Sequence, residues 1–348
     1  MAHRRITRAY CVELQEVVTI TQARKEFLAM DPHPEKFHFL CSDQRCRDCG
    51  VKVTGVRYRE NAQESVKLKT AHFRENDKHL PTCEWEEPPE EEDTNGLLPG
   101  ETEDAARRRR ARRKLNDFID VFDPCDEDDS SYVTTKGASG AGANSDSGSA
   151  ANGNDRCRKD DDSDFPGVTK TSDLERLVEC FREAKETLTP EEFAELEIMV
   201  KGVGRIKLSH YFKRLSYAKK STTQNVIYGG AKTLVKRYGS GKSYTQGFLF
   251  KFYDKVEGGP VSLYVSPAMM REYRHRKYID DIILKADKVR YFTIYALGSF
   301  EPAKTEYHGL NLTISQLRQL VIVLGPEKID ENSLGHGASN DSNTLATK

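Results

Sequence analysis

The chain has 348 residues, 37% hydrophobic and 31% charged, with a formal net charge of −1 and a mean hydropathy of −0.70. That length suits two or three domains, and so wet a composition leaves part of the chain expected to be unstructured. No apolar run reaches the ~18 residues of a membrane-spanning helix, and the basic start "MAHRRITRAYCVELQEVV" leads into no apolar stretch. The expectation is therefore a cytoplasmic protein whose eight cysteines serve as thiols and metal ligands.

Near-neutrality conceals segregation of charge. Residues 84–104 hold ten acidic residues and no Lys or Arg, "RRRRARRK" follows, and residues 201–300 hold 20 Lys and Arg against 6 Asp and Glu. Local charge, not the total, is what a partner meets.

In chain order, residues 1–86 read as a small α+β domain. "YCVEL" and "KFHFLC" are short strands, "TITQARKEFLAM" is a helix capped by Thr19 or Thr21, and "VKVTGVRY" alternates as a half-buried strand does. Residues 87–170 read as a linker with a charged helix over 103–121, carrying Leu115, Phe118, Ile119 and Phe122 as an apolar stripe. Beyond it lies the Gly/Ser/Asn-rich tether "GASGAGANSDSGSAANGND". Residues 171–222 are a helical segment, with Ser172 as a cap and Pro190 opening a second helix. Residues 223–326 turn to strands: "NVIYGGAKTLVKRY", "QGFLFKFYDKV" and "PVSLYVS", a helix from Ser266, then "KVRYFTIYALGSF", "YHGLNLTI" and a closing helix "SQLRQLVIVL". Three strands, a helix and two strands is the order of an OB-fold, a five-stranded Greek-key barrel, and that is the fold expected here. Residues 327–348 are expected to be a disordered tail.

The stretch "CSDQRCRDCG" carries three cysteines, and "HFRENDKHLPTCEW" follows about thirty residues later. Cys46 and Cys49, with Gly50 behind them, have the spacing of a zinc knuckle. There two thiolates face one ion from a tight turn, and the glycine removes a crowding side chain. His79 and Cys83 form a second cluster, and Cys41 with Cys46 is an equally legal pair. Four of Cys41, Cys46, Cys49, His79 and Cys83 are expected to hold one structural Zn²⁺, with His72 an ordinary strand residue. A site closed by four protein donors has no position for a substrate.

The pattern "FHFLCSDQRCRDCGVKVTG … AHFRENDKHLPTCEW", residues 37–85, resembles the zinc ribbon at the front of competence-protein CoiA-like bacterial proteins. The third cysteine departs from that pattern. The resemblance implies a zinc ribbon and an association with DNA uptake and recombination, in proteins some of which carry a nuclease domain.

Two motifs mislead. "YGSGKSY" has Lys236 where a P-loop needs a glycine, and strand-like sequence follows. Asp173 with Glu183 and Lys185 has the lettering of a nuclease centre but lies on a helix-period segment, which reads as a solvated face. The basic half interleaves cations with aromatics. By alternation the Phe248, Phe250 and Phe252 face is core, which leaves Lys232, Lys236, Tyr238, Lys242, Tyr244, Lys251 and Tyr253 for a nucleic-acid surface, single strands above duplex. The expected function is a non-enzymatic, zinc-binding nucleic-acid-binding protein. Behind it stand a protein-interaction adaptor in a bacterial multi-subunit system and, further back, a metal-dependent nuclease.

Overall fold

The computed structural model describes residues 6–60, 70–86, 100–125, 169–237, 246–303 and 309–328. The fold is mixed α+β with three sheets, none closed into a barrel. The low-complexity tether and most of the tail lie outside the described residues. No helix among those described is long and apolar enough to cross a membrane.

The N-terminal sheet has the order β2-β1-β3-β4-β5, from β1 (Arg8–Cys11), β2 (Glu16–Thr19), β3 (Phe39–Cys41), β4 (Lys52–Val56) and β5 (His72–Glu75). Helix α1 (Ile20–Ala29) starts directly after β2, where the Thr19 side chain accepts from the Gln22 N–H. A short helix α2 (Gln44–Asp48) sits between β3 and β4. Phe27, Phe37, Phe39, Tyr58 and Phe73 form the core, mostly edge to face with centroids 5.1–6.2 Å apart.

The middle layer comprises α3 (Glu103–Arg113), β6 (Val121–Phe122), β7 (Lys170–Thr171), α4 (Leu174–Thr187), α5 (Pro190–Glu195), β8 (Glu197–Val200) and β9 (Gly204–Lys207), with sheet order β7-β6-β8-β9. Three expectations change here. The charged helix ends at Arg113, and Leu115, Ile119 and Phe122 are buried in the same cluster as Leu177, Phe181 and Ile198, so this segment belongs to a core. Its cations are engaged as structure: Arg108 pairs with Glu197 at 2.5 Å, Arg109 with Glu101 at 2.9 Å, Arg112 with Asp120 at 2.9 Å and Lys114 with Glu192 at 2.5 Å. The cap of α4 is Asp173, whose side chain accepts from the Glu175 N–H, one residue beyond the expected Ser172.

The third sheet contains eight strands in place of a five-stranded barrel. Its path is β15-β16-β13-β12-β11-β14-β17, with β10 on β11. The strands are β10 (Phe212–Arg214), β11 (Val226–Arg237), β12 (Gln246–Val256), β13 (Gly259–Val265), β14 (Phe292–Leu297), β15 (Ser299–Pro302), β16 (Leu310–Thr313) and β17 (Leu320–Leu324). A single helical turn, α6 (Leu208–Tyr211), leads into β10, and α7 (Pro267–Glu272) and α8 (Arg276–Leu284) follow β13. The expected closing helix is a short 3-10 turn, Leu317–Gln319, followed by β17. Strand β17 pairs antiparallel with β14, so β14 ends in an added strand where closure would have needed an edge. Both strands are covered on two sides. Ile294, Ala296, Leu320 and Ile322 pack in the cluster containing Met270 and Ile282, whereas Tyr295, Val321 and Val323 pack with Leu177 and Phe181. Two-sided burial favours an unbroken β-branched run such as "LVIVL".

The N-terminal unit docks on the rest through α1. Arg24, 1% exposed, pairs with Glu179 on α4. Lys25 Nζ lies 2.7 Å from Asp173 and 3.2 Å from Glu175. The Tyr278 hydroxyl on α8 donates to Glu175 at 2.5 Å, and Glu26 receives Arg274 and His275, each at 2.8 Å. Asp173 and Glu183 therefore belong to a buried face of α4, not the expected solvated one; Lys185 alone of that motif is exposed.

Removing one partner of a buried pair strands the other charge in a dry site. Arg24→Ala is expected to cost about 3–5 kcal/mol in denaturant unfolding, and Arg24→Met combined with Glu179→Leu to recover most of it. Acid should loosen the same junction. Burial pushes the Asp173 and Glu26 carboxyls up, but Lys25 for the first and His275 with Arg274 for the second more than offset it and hold both below the ordinary carboxylate range. Carboxyls depressed on folding contribute stability above their unfolded pKa of ~4, and that stability is lost as pH falls through the folded value. The melting temperature should drop on acidification through and below that range, and Lys25→Met should flatten the drop.

Candidate metal centre and candidate nucleic-acid interface

Cys41 ends β3, where its N–H donates to the Val51 carbonyl at 2.9 Å. Asp43 caps α2 by accepting from the Cys46 N–H, which fixes Cys46 on the first turn. Gly50 takes a φ of 75° and lets the chain reverse into β4. Beyond β5 the chain returns, and the Cys83 N–H donates to the Leu80 carbonyl at 2.8 Å. The donor atoms of Cys41, Cys46, His79 and Cys83 all lie within 4.8 Å of one another, and all four residues are buried.

This group is close enough to hold a metal ion. A tetrahedral ion with metal–sulfur bonds of about 2.3 Å separates its sulfurs by about 3.8 Å; the Cys41 and Cys83 sulfurs are 3.6 Å apart, and His79 Nδ1 is 3.4 Å from Cys83 Sγ. The Leu80 N–H points at Cys46 Sγ at 3.2 Å and the Trp85 N–H at Cys83 Sγ at 3.5 Å, contacts that favour thiolates. Trp85 Nε1 donates to Ser42 Oγ at 2.6 Å, which ties the two ligand-bearing segments together.

Burial pushes the Cys83 thiol up to about 11 and Cys41 higher still; Cys46 adds to both shifts, whereas the contact with Cys41 pulls Cys83 partly back. Three thiolates in one dry site repel each other, and a divalent cation removes that cost while releasing protons. Of the five sequence candidates, Cys49 is the one left out. It is the exposed C-cap of α2. His72 lies on β5 with Nδ1 3.2 Å from the Thr70 carbonyl, as an ordinary strand residue. Outside the group, Cys11, Cys49 and Cys180 are free thiols, and Cys125 is disulfide-bonded, a pairing the expectation of thiols and metal ligands did not include.

The large sheet supplies the second candidate. Strand register sets Lys232 opposite Lys251, Lys251 opposite Ser262, and Ser262 opposite Asn311, in one row across four strands. The next row along is Leu234, Leu249 and Tyr264. Helix α4 covers this face over β14, β17, β10 and the start of β11; Lys232, Leu234, Lys251, Tyr253 (52% exposed), Tyr264 and Tyr291 lie on the part no described residue covers. Lys232 Nζ stands 5.8 Å from the centre of the Tyr253 ring. Gly230 sits between Tyr253 and Tyr291, where a Cβ would come within 3.3 Å of the Tyr253 ring.

Thus Lys232, Lys251 and Tyr253 share a face. Lys236 is in β11 with its side chain outside the described set, and Tyr238, Lys242 and Tyr244 lie outside the described residues altogether. Tyr264 and Tyr291 join this face and are not among the surface residues expected from the sequence. Strand pairing is what brings them to it. Phe248, Phe250 and Phe252 are core. No family model matches the chain, and comparison with curated proteins and with solved structures finds no similar protein.

Purified protein is expected to contain one metal ion per chain by elemental analysis. Cys83→Ser should lose it and Cys49→Ser should retain it; metal loss on Cys49→Ser would show that the ligand set is wrong.

Proposed function

We propose that the protein is a non-enzymatic nucleic-acid-binding protein in which a structural Zn²⁺ holds the N-terminal unit and the bare sheet face receives single-stranded nucleic acid. The three-sulfur, one-nitrogen donor set is a common structural zinc set, and four protein donors close the ion to substrate. The order of those donors around a β-hairpin supports reading the unit as a zinc ribbon similar to that of the CoiA-like proteins. Metal-thiolate chemistry supports a reducing, cytoplasmic location, and the disulfide at Cys125 weighs against it.

The observation that carries the reading is the cross-strand Lys232–Lys251 pair. Like charges directly opposite one another on a sheet are destabilising, and no carboxylate is paired with either lysine among the described residues. An anion laid across the row relieves the repulsion. Tyr253, Tyr264 and Tyr291 beside it offer exposed rings, which stack on unpaired bases irrespective of sequence.

Fluorescence anisotropy with labelled single-stranded DNA and RNA over a salt series tests this. Lys251→Ala should weaken binding and reduce the log–log salt slope by about one unit. Tyr253→Ala should cost about 1–3 kcal/mol with the slope unchanged. If binding is absent and both variants are silent, the exposed Leu234 and Tyr264 row is to be read as the docking face of a protein adaptor instead.

A further inference from the structure

A second surface stands apart from this face. The segment Leu215–Asn225 joins β10 to β11 and, with Lys213 on β10, bounds an open cavity of about 360 Å³, at the lower end of the ~300–1,000 Å³ usual for small-ligand clefts. Its lining includes Lys213, Tyr217, Lys219, Thr222, Thr223 and Asn225.

The loop is a built structure. The Lys219 N–H donates to Thr222 Oγ1 at 3.0 Å, and the Thr222 N–H returns to the Lys219 carbonyl at 2.9 Å. Asn225 Nδ2 donates to the His210 and Tyr211 carbonyls at 2.9 and 3.3 Å, which leaves its side-chain oxygen available. Arg214 and Lys220 pin the loop to the β12–β13 hairpin through Asp254 at 3.3 Å and Glu257 at 3.8 Å. Those pairings engage the two hairpin carboxylates. Lys213, half-buried, and Lys219 are left with no ion-pair partner among the described residues, and both line the cavity. Tyr217 beside them is 76% exposed, the most exposed large hydrophobic residue described.

Unpaired ammonium groups, hydroxyls and one bare aromatic ring around a small cavity match a particular chemistry: a phosphate joined to a flat heterocycle. We propose that this pocket binds a nucleoside monophosphate unit, its phosphate between Lys213 and Lys219 and its base on the Tyr217 ring. Thr223 and Asn225 supply polar contacts for the sugar. This assignment is independent of the sheet-face reading, since it uses none of the same residues.

The full-length protein is titrated with AMP by isothermal calorimetry, with adenosine and inorganic phosphate as the separate halves. Saturable AMP binding is expected, tighter than either half. Lys219→Gln should weaken it about tenfold, the scale of one hydrogen-bonded charge contact, and Tyr217→Ala should weaken AMP while leaving inorganic phosphate unchanged. Both positions are exposed, so folding is not at stake. Lys251→Ala should have no effect on AMP. Absence of saturable AMP binding overturns the proposal. So does inorganic phosphate binding as tightly as AMP, or AMP binding that responds to Lys251→Ala and not to Tyr217→Ala. The first two results leave strand binding at the sheet face untouched; the third would place AMP at that face instead, where Lys251 and Tyr253 test strand binding separately.

Discussion

Among the described residues, a small set of buried charges is the centre of the junction between α1 and the rest of the molecule, with Leu28 packed against the large-sheet core beside it. Arg24 and Lys25 enter a site almost devoid of water and meet Glu179, Asp173 and Glu175 on α4. Each charge would be costly there by itself, and each is tolerated because its neighbours satisfy it. Such a contact stabilises less than apolar packing of the same volume. It is also far less forgiving of a shift in position, and so it fixes one geometry for α1 against α4 and α8. The unit with the candidate metal site is thereby mounted on the sheet-bearing body, whereas the sequence reading had tethered it there by a flexible linker.

The large sheet divides its labour along its width. At the β14 and β17 end both faces are packed, and apart from Thr293 the side chains there are apolar or aromatic. At the β12 and β13 end one face is core and the other is bare, so lysine and tyrosine alternate with phenylalanine. The same strands thus supply rigidity at one end and a chemically distinctive surface at the other. The surface sits on regular secondary structure, which holds its groups in place better than a loop would.

How much of this could be read from residues depended on whether the partner was local. The metal group was legible because tetrahedral donors must lie close together, and Cys46, His79 and Cys83 already had the spacing. The choice of Cys41 over Cys49 was not, since both spacings close a ring; the end of β3 and the outward C-cap of α2 decide it. The phenylalanine face of β12 was legible from alternation alone. The segment "LVIVL" was misread as a helix because a run buried on both sides has no period to show. Asp173 and Glu183 looked like part of a solvated face for a related reason: a charge is judged by its surroundings, and theirs come from 148 residues earlier or from the segment before α4. The barrel expected from element order gave way to an open sheet because β15 and β17 end up at opposite ends of it, a matter of pairing that no element order contains.

The distance along the chain between Glu26 and His275, 249 residues, also sets a timetable. During synthesis α1 emerges early, with Arg24, Lys25 and Glu26 facing water. Its acceptors on α4 appear about 150 residues later, and His275 later still. Contacts this remote repay their loop-closure entropy only once the intervening parts are compact. The N-terminal sheet, whose pairings are all internal, can form while the ribosome is still at work. Docking of α1 is then the closing event of assembly, and until it happens the nascent chain carries a ready-made metal unit beside an unfinished body.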